Sequence, residues 1–232
     1  LLSTDIPLEH PLLETREEKE TALLVITSDT GLCGSYNHSL VGETKNVLAA
    51  SLKAPVLIGI GKNGINALSR AGYSWNRAFT DTKTSQVESV ITETAALIEA
   101  LFRERKVDAV YAVYTHFTGR SVFRATTEKI LPFRLEAKDN EPVETANLYI
   151  MEPNREALFS RLVPLVFAAK MRMIFMESMI AEHMARMNAM HQATENAKEL
   201  IDTLVLLRNK IRQAAITKEL IEIVSGSKAL KQ

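Results

Sequence analysis

NREALFSRLVPLVFAAKMRMIFMESMIAEHMARMNAM, residues 154–190, opens a stretch that reads as one helix to about residue 230. Pro164 is its only proline and Gly226 its only glycine. At 1.5 Å rise per residue such a helix would be roughly 110 Å long. That is several times the radius of a compact domain of this size. It cannot bury one face on a small globule, so most of it must meet something else. Asn154 suits an N-cap, and Glu156 places a carboxylate in the first turn, where it complements the helix dipole. Past His183 a seam appears at Met187, Met190, Thr194, Ala197, Ile201, Leu204, Arg208, Ile211 and Ala215. Its alternating three- and four-residue steps are the coiled-coil period. No other segment of this sequence is long enough to pair with it, so its partner is expected outside this sequence or in another molecule.

Working upstream, residues 22–27 (ALLVIT) form a short apolar, β-branched run, as expected of a strand buried on both faces. Asp29-Thr30-Gly31-Leu32-Cys33-Gly34 turns the chain into a helix over 36–51. A second strand is expected at 56–60, then a turn Gly61-Lys62-Asn63-Gly64 and a short helix from Ile65 to a C-cap near Gly72. Residues 75–84 suit a short edge strand. Ser85 and Glu88 have capping-box spacing at the head of a helix to about 106, with Val87, Ile91, Ala95, Ile98 and Phe102 on one face. Strands follow at 107–117, 122–130 and 148–151, the last two separated by a polar loop at 138–145. Strand and helix alternate, which implies right-handed crossovers and a mostly parallel sheet. The expected architecture is α/β: a solvated linker over 1–21, a small Rossmann-like domain over 22–152, and a long C-terminal helix over 153–232.

Composition narrows the function classes. The 232 residues are 46% hydrophobic and 24% charged, ordinary for a globular protein, and the formal net charge is zero. That argues against a nucleic-acid binder that depends on a basic field. The single cysteine, Cys33, excludes an internal disulfide and a cysteine-based metal cluster. The most apolar window, 162–181, carries Lys170, Arg172 and Glu177 and is no credible membrane span. Pro7, Pro11 and scattered acids interrupt anything resembling a signal peptide.

Two glycine-rich turns could carry chemistry. Gly59-Ile60-Gly61-Lys62-Asn63-Gly64 matches G-x-G-x-x-G between a strand and a helix, with Asp81 about 20 residues on, as in NAD-type dinucleotide sites. Against that reading, the match lies on the second strand, Lys62 is long, and the helix is short. A tight turn needs the same glycines without a ligand. Gly31-Leu32-Cys33-Gly34 lacks the ending of a phosphate-binding loop, and no histidine is placed beside its thiol. His10, His38, His116, His183 and His191 form no ligand pair at i, i+4, and no serine sits in a nucleophile elbow. The methionines clustered over 171–190 suit adaptable packing. No catalytic constellation, metal site or cofactor site is expected.

Ser28-Asp29-Thr30-Gly31-Leu32-Cys33-Gly34-Ser35-Tyr36-Asn37 resembles the S-D-x-G-L-C-G-x-[YF]-N signature of the γ subunits of F-type ATP synthases. The tail is more specific: 185–190 (ARMNAM), 193–197 (ATENA), 212–220 (RQAAITKEL) and 222–226 (EIVSG) all follow that family's pattern. The resemblance implies a non-catalytic rotor subunit of the central stalk, which couples ion-driven rotation of a membrane c-ring to ATP synthesis or hydrolysis. It implies an antiparallel coiled coil between this helix and an N-terminal γ helix, turning inside an α3β3 ring. The α/β domain would lie near the ε subunit and the c-ring. ATP chemistry would belong to β and α, with no small-molecule substrate or cofactor for γ. Arg212, Gln213 and Thr217 match the family's contacts to the β catch loops. The family setting is the cytoplasmic face of a bacterial inner membrane, or the matrix side in mitochondria. This sequence starts in what the family places as the linker after the N-terminal helix. It shows Pro164-Leu165-Val166-Phe167-Ala168 where members often carry a polar Arg-Tyr-x-Glu-Ser stretch, so the polar foot contacts are not carried over.

Overall fold

The computed structural model describes residues 10–117, 123–133 and 154–229. The strands expected at 22–27, 56–60, 75–84, 107–117 and 122–130 form β1 (Thr21–Ile26), β2 (Val56–Ile60), β3 (Arg77–Phe79), β4 (Ala109–Phe117) and β5 (Phe123–Leu131). They make one sheet in the order β3-β2-β1-β4-β5. All neighbours are parallel except β4 and β5, which pair antiparallel. The register sets Leu24 of β1 beside Ile58 of β2 and Ala112 of β4. The strand expected at 148–151 and the loop at 138–145 lie outside the described residues.

The central strand is buried on both faces, so its alternation feeds two cores. Leu24 and Ile26 join Ile58, Ile60, Val110 and Ala112 on one face. That face is covered by Ile91, Ile98 and Phe102 of α3 (Val87–Arg103) and by the start of α4 (Arg155–Ala229). Leu23 and Val25 meet Leu40 of α1 (Tyr36–Ala50) and Leu68 of α2 (Lys62–Arg70) on the other. Asn154 caps α4 as expected, its Oδ1 accepting from Ala157 N at 2.7 Å.

Three local expectations change. Helix α2 starts at Lys62 rather than Ile65, because Gly61, at φ 90°, acts as its N-cap. The capping box at Ser85 and Glu88 does not form: a 3-10 turn at Thr84–Gln86 leads into α3, whose N-cap Gln86 makes no side-chain cap bond. Glu88 instead turns to Arg172 of α4. Residues 10–20, expected as a solvated linker, lie against the domain. Leu12 is fully buried, Arg16 stacks 4.8 Å over the Phe102 ring, and Asp108 accepts from Lys19 N and Glu20 N.

The chain divides into two compact units, Leu1–Arg186 and Met187–Gln232, with α4 contributing to both. Within the first, Phe159, Val163, Phe167, Met171, Ile174 and Phe175 of α4 are buried in the sheet's core. In the second the helix is exposed nearly throughout its described residues.

Candidate functional site

The loop after β1 is a hub of backbone capping. Ser28 Oγ donates to Thr30 O at 2.7 Å, and Asn37 Nδ2 donates to Ser28 Oγ at 2.6 Å and to Cys33 Sγ at 3.2 Å. The two Asp29 oxygens accept from Lys62 N and Thr82 N, both at 2.9 Å, fastening the loops that follow β2 and β3. Asn63 Nδ2 donates to Ser28 O and Thr30 O. Cys33 is 3% exposed, so its thiol is a packed core group rather than a presented nucleophile. These residues are polar and small because each closes one loop on another.

The same hub grips α4. Tyr36 Oη donates to Ser178 O at 3.2 Å, and burial, followed by the nearby Glu182 carboxylate, pushes the phenol's pKa well up. Arg186 donates through Nη2 to Thr30 Oγ1 at 2.6 Å and through Nε to Gly31 O at 3.3 Å, while pairing with Glu182 one turn earlier at 2.7 Å. In the sequence Arg186 stands out only as part of the 185–190 stretch that resembles the family pattern. The signal that could have singled it out is the Glu182–Arg186 spacing of i, i+4, which pre-sets a guanidinium on one helix face. Beside this grip lies a cleft of about 240 Å³ at the carboxyl ends of β1 and β2, lined by Thr27, Asp29, Tyr36, Ser178 and Glu182 among others.

The dinucleotide motif is filled by the protein itself. A Cβ at Gly59 would fall 2.6 Å from the Trp75 ring, one at Gly61 would fall 2.1 Å from Thr27 O, and one at Gly64 would fall 2.4 Å from Thr27 Cγ2. Gly61 and Gly64 are needed where the start of α2 packs on Thr27 at the end of β1, and Gly59 makes room for the Trp75 ring. The α2 amides that a pyrophosphate would use already have partners: Lys62 N on Asp29, Asn63 N on Ser28 O, and Gly64 N on Thr27 Oγ1. Asp81 lies 3.7 Å from Lys62 Nζ in an exposed ion pair. Among the described residues no group of three His, Cys, Asp or Glu side chains could hold a metal, and no helix is long and apolar enough to cross a membrane.

The unit Met187–Gln232 is a surface awaiting cover. All the seam positions are exposed: Met187, Met190, Thr194, Ala197, Ile201, Leu204, Arg208, Ile211 and Ala215. Ile201, Leu204 and Ile211 stand 59%, 53% and 60% open. Taking Leu204 as origin at about 100° per residue, the seam from Ala197 to Ala215 falls between roughly −20° and 60°, and Met187, Met190 and Thr194 between roughly 40° and 100°. Ile216, Leu220, Ile223 and Val224 are also exposed, yet they fall roughly 100–200° away. The helix therefore exposes apolar residues along its seam and on other sides as well, with Val205 and Leu206 off the seam within that stretch and Ile216, Leu220, Ile223 and Val224 beyond it, the pattern of a helix with more than one neighbour. Arg212, Gln213 and Thr217 are exposed where this change occurs.

The chain as a whole is similar to known proteins. The family model for ATP synthase matches residues 1–230. The ATP synthase gamma chain of Parabacteroides distasonis is 37% identical over 231 residues, covering 98% of this chain and 79% of the relative. That of Chlorobaculum parvum is 38% identical, covering 96% and 78%. Among solved structures, a chain of the Tetrahymena thermophila mitochondrial ATP synthase central stalk and c-ring aligns with a TM-score of 0.56 and 24% identity, over 78% of this chain and 79% of that one. A chain of the Euglena gracilis mitochondrial ATP synthase aligns with a TM-score of 0.66 and 19% identity, over 92% and 73%, and supports the fold.

Proposed function

The chain belongs to the ATP synthase gamma-chain family, whose members are the central-stalk rotor of that machine, and on this premise we propose how its parts divide the work. The unit Met187–Gln232 is the shaft. Its seam, Met187 to Ala215, packs against the N-terminal helix of the γ subunit in an antiparallel coiled coil. Its apolar C-terminal end turns inside the α3β3 ring, and the α/β domain meets the ε subunit and the c-ring. The complex sits peripherally on the membrane, with this chain on the cytoplasmic face in bacteria. The protein makes and breaks contacts, while nucleotide chemistry stays on the ring.

The observation that carries this reading is the exposed apolar surface of α4, which runs along the seam and also covers other sides of the helix from Val205 to Val224. A lone shaft exposing that much apolar surface needs cover on all of those sides, which one partner helix and an enclosing ring supply. Arg212, Gln213 and Thr217 are the grip on the β catch loops. A planar guanidinium and an amide engage carboxylates and backbone at one angular position and release them at the next. In reconstituted α3β3γ with the full-length subunit, Arg212→Ala combined with Gln213→Ala is expected to lower ATP hydrolysis several-fold. Unchanged turnover with unchanged assembly would remove those residues from the grip. The dinucleotide-enzyme alternative gains no support, since the α2 amides it needs are occupied.

A further inference from the structure

An apolar helix face resists being pulled off a sheet better than it resists rolling along it, because hydrophobic contact has no preferred direction. Packed helices accordingly slide and shear at small cost. A rotor whose α/β domain is driven and whose helix does the work cannot tolerate that slip. The way α4 lies on the first unit addresses it. Taking Lys170 as origin at about 100° per residue, the buried stripe of Val163, Phe167, Met171, Ile174, Phe175 and Ala181 spans roughly 20–140°, with Phe159 at the helix start at about −20°. Glu177 then falls at about −20°, Arg186 at about 160° and Arg172 at about 200°.

The charged residues thus bracket the stripe, and each reaches a different element. On one flank Lys170 Nζ contacts Glu128 of β5 at 2.6 Å, and Glu177 meets His116 of β4 at 2.6 Å. On the other, Arg172 pairs with Glu88 of α3, and Arg186 donates to Thr30 and Gly31 of the β1–α1 loop. The Lys170, Glu177 and Arg186 side chains are each no more than 25% exposed, but Glu128 and His116 stand 34% and 40% open and the Arg186 bonds to the loop are exposed, so these contacts are partly shielded, and the Arg172–Glu88 pair, open on both sides, counts least. Rolling the helix either way stretches bonds on one flank that the apolar stripe cannot replace.

We propose that Lys170, Glu177, Arg172 and Arg186 are positioning residues that key α4 in roll against the α/β domain, so that torque reaching the domain enters the helix instead of slipping past it. The proposal rests on the rotor reading. Its test uses the complete ATP synthase with full-length γ in sealed vesicles, measuring ions moved per ATP hydrolysed against an opposing gradient. The combined variant Lys170→Met, Glu177→Gln, Arg172→Met, Arg186→Met is expected to cut that ratio by about threefold or more, a factor in keeping with several partly exposed charge pairs. Lys170→Glu alone should lower the ratio, and adding Glu128→Lys should restore it by re-forming the pair with its charges exchanged. Unchanged ratios in the combined variant, or equal ratios in the single and exchanged variants, overturn the proposal even if thermal stability falls. Should the combined variant fail to assemble, the single and exchanged variants decide by the same readout. An unaltered complex that hydrolyses ATP without moving ions would defeat the rotor reading itself, independently of any variant.

Discussion

Glu128 shows how one side chain carries both stability and position. Its carboxylate accepts from Lys170 Nζ at 2.6 Å and from Tyr114 Oη at 2.7 Å. Burial pushes its pKa up, but those two partners outweigh burial and leave it below the ordinary glutamate value of 4.5. A folded pKa below the unfolded one means that the unfolded chain binds the proton more readily. The contribution is therefore full above about pH 4.5 and is lost as pH falls through the depressed folded value. Glu128→Gln is expected to lower stability at pH 7 by about 1 kcal/mol or less, given how open the pair is to solvent. In urea unfolding that difference should close as the solution is acidified below the ordinary glutamate range; a constant difference would assign the loss to packing instead. At this scale the sequence was only partly legible. The glycines of 59–64 could be read as a tight turn from their type alone. That Glu88 would serve Arg172 rather than its own helix end depends on where α4 lies, and no local spacing carries that information.

Among elements, α4 is two different helices joined end to end, and its sequence says so through periodicity. Over its start, Phe159, Val163, Phe167, Met171 and Ile174 recur at three- and four-residue steps and are buried. Beyond Arg186 the same steps continue with nothing among the described residues to cover them. Phe167→Ala should destabilise the chain by about 3–5 kcal/mol, the cost of emptying a fully buried aromatic site. Leu204→Ala, on the same helix, should change the stability of the chain alone by no more than about 0.5 kcal/mol, since leucine and alanine are both good helix formers and no contact is lost. Denaturation of the two variants compares them directly, and equal losses would contradict the division of the helix. Strands β1 and β2 were legible because parallel strands buried on both faces are continuous apolar runs. The start of α2 was not, because Gly61 caps the helix through a backbone conformation rather than a side chain. The capping box at Ser85 did not form because a 3-10 turn at Thr84–Gln86 carries the chain into α3 with Gln86, not Ser85, at the cap.

For the whole molecule, the sequence showed a helix too long for its own domain, and the structure shows which residues of that helix the domain holds and which it leaves open. What no sequence pattern revealed is the set of bonds that ties the loop after β1, α1, α3, β4 and β5 to α4. These elements are far apart in sequence and meet only through the fold. The central claim is that the α/β domain and the helix turn together while the ring does not. A reporter can be attached cleanly, because Cys33 is buried and Leu52 is fully exposed, so Leu52→Cys offers an accessible thiol on the α/β domain. With the complete α3β3γ complex fixed to a surface through its ring and a bead coupled at residue 52, added ATP should drive sustained rotation of the bead in one direction. ATP hydrolysis at normal turnover with a stationary bead would contradict the account.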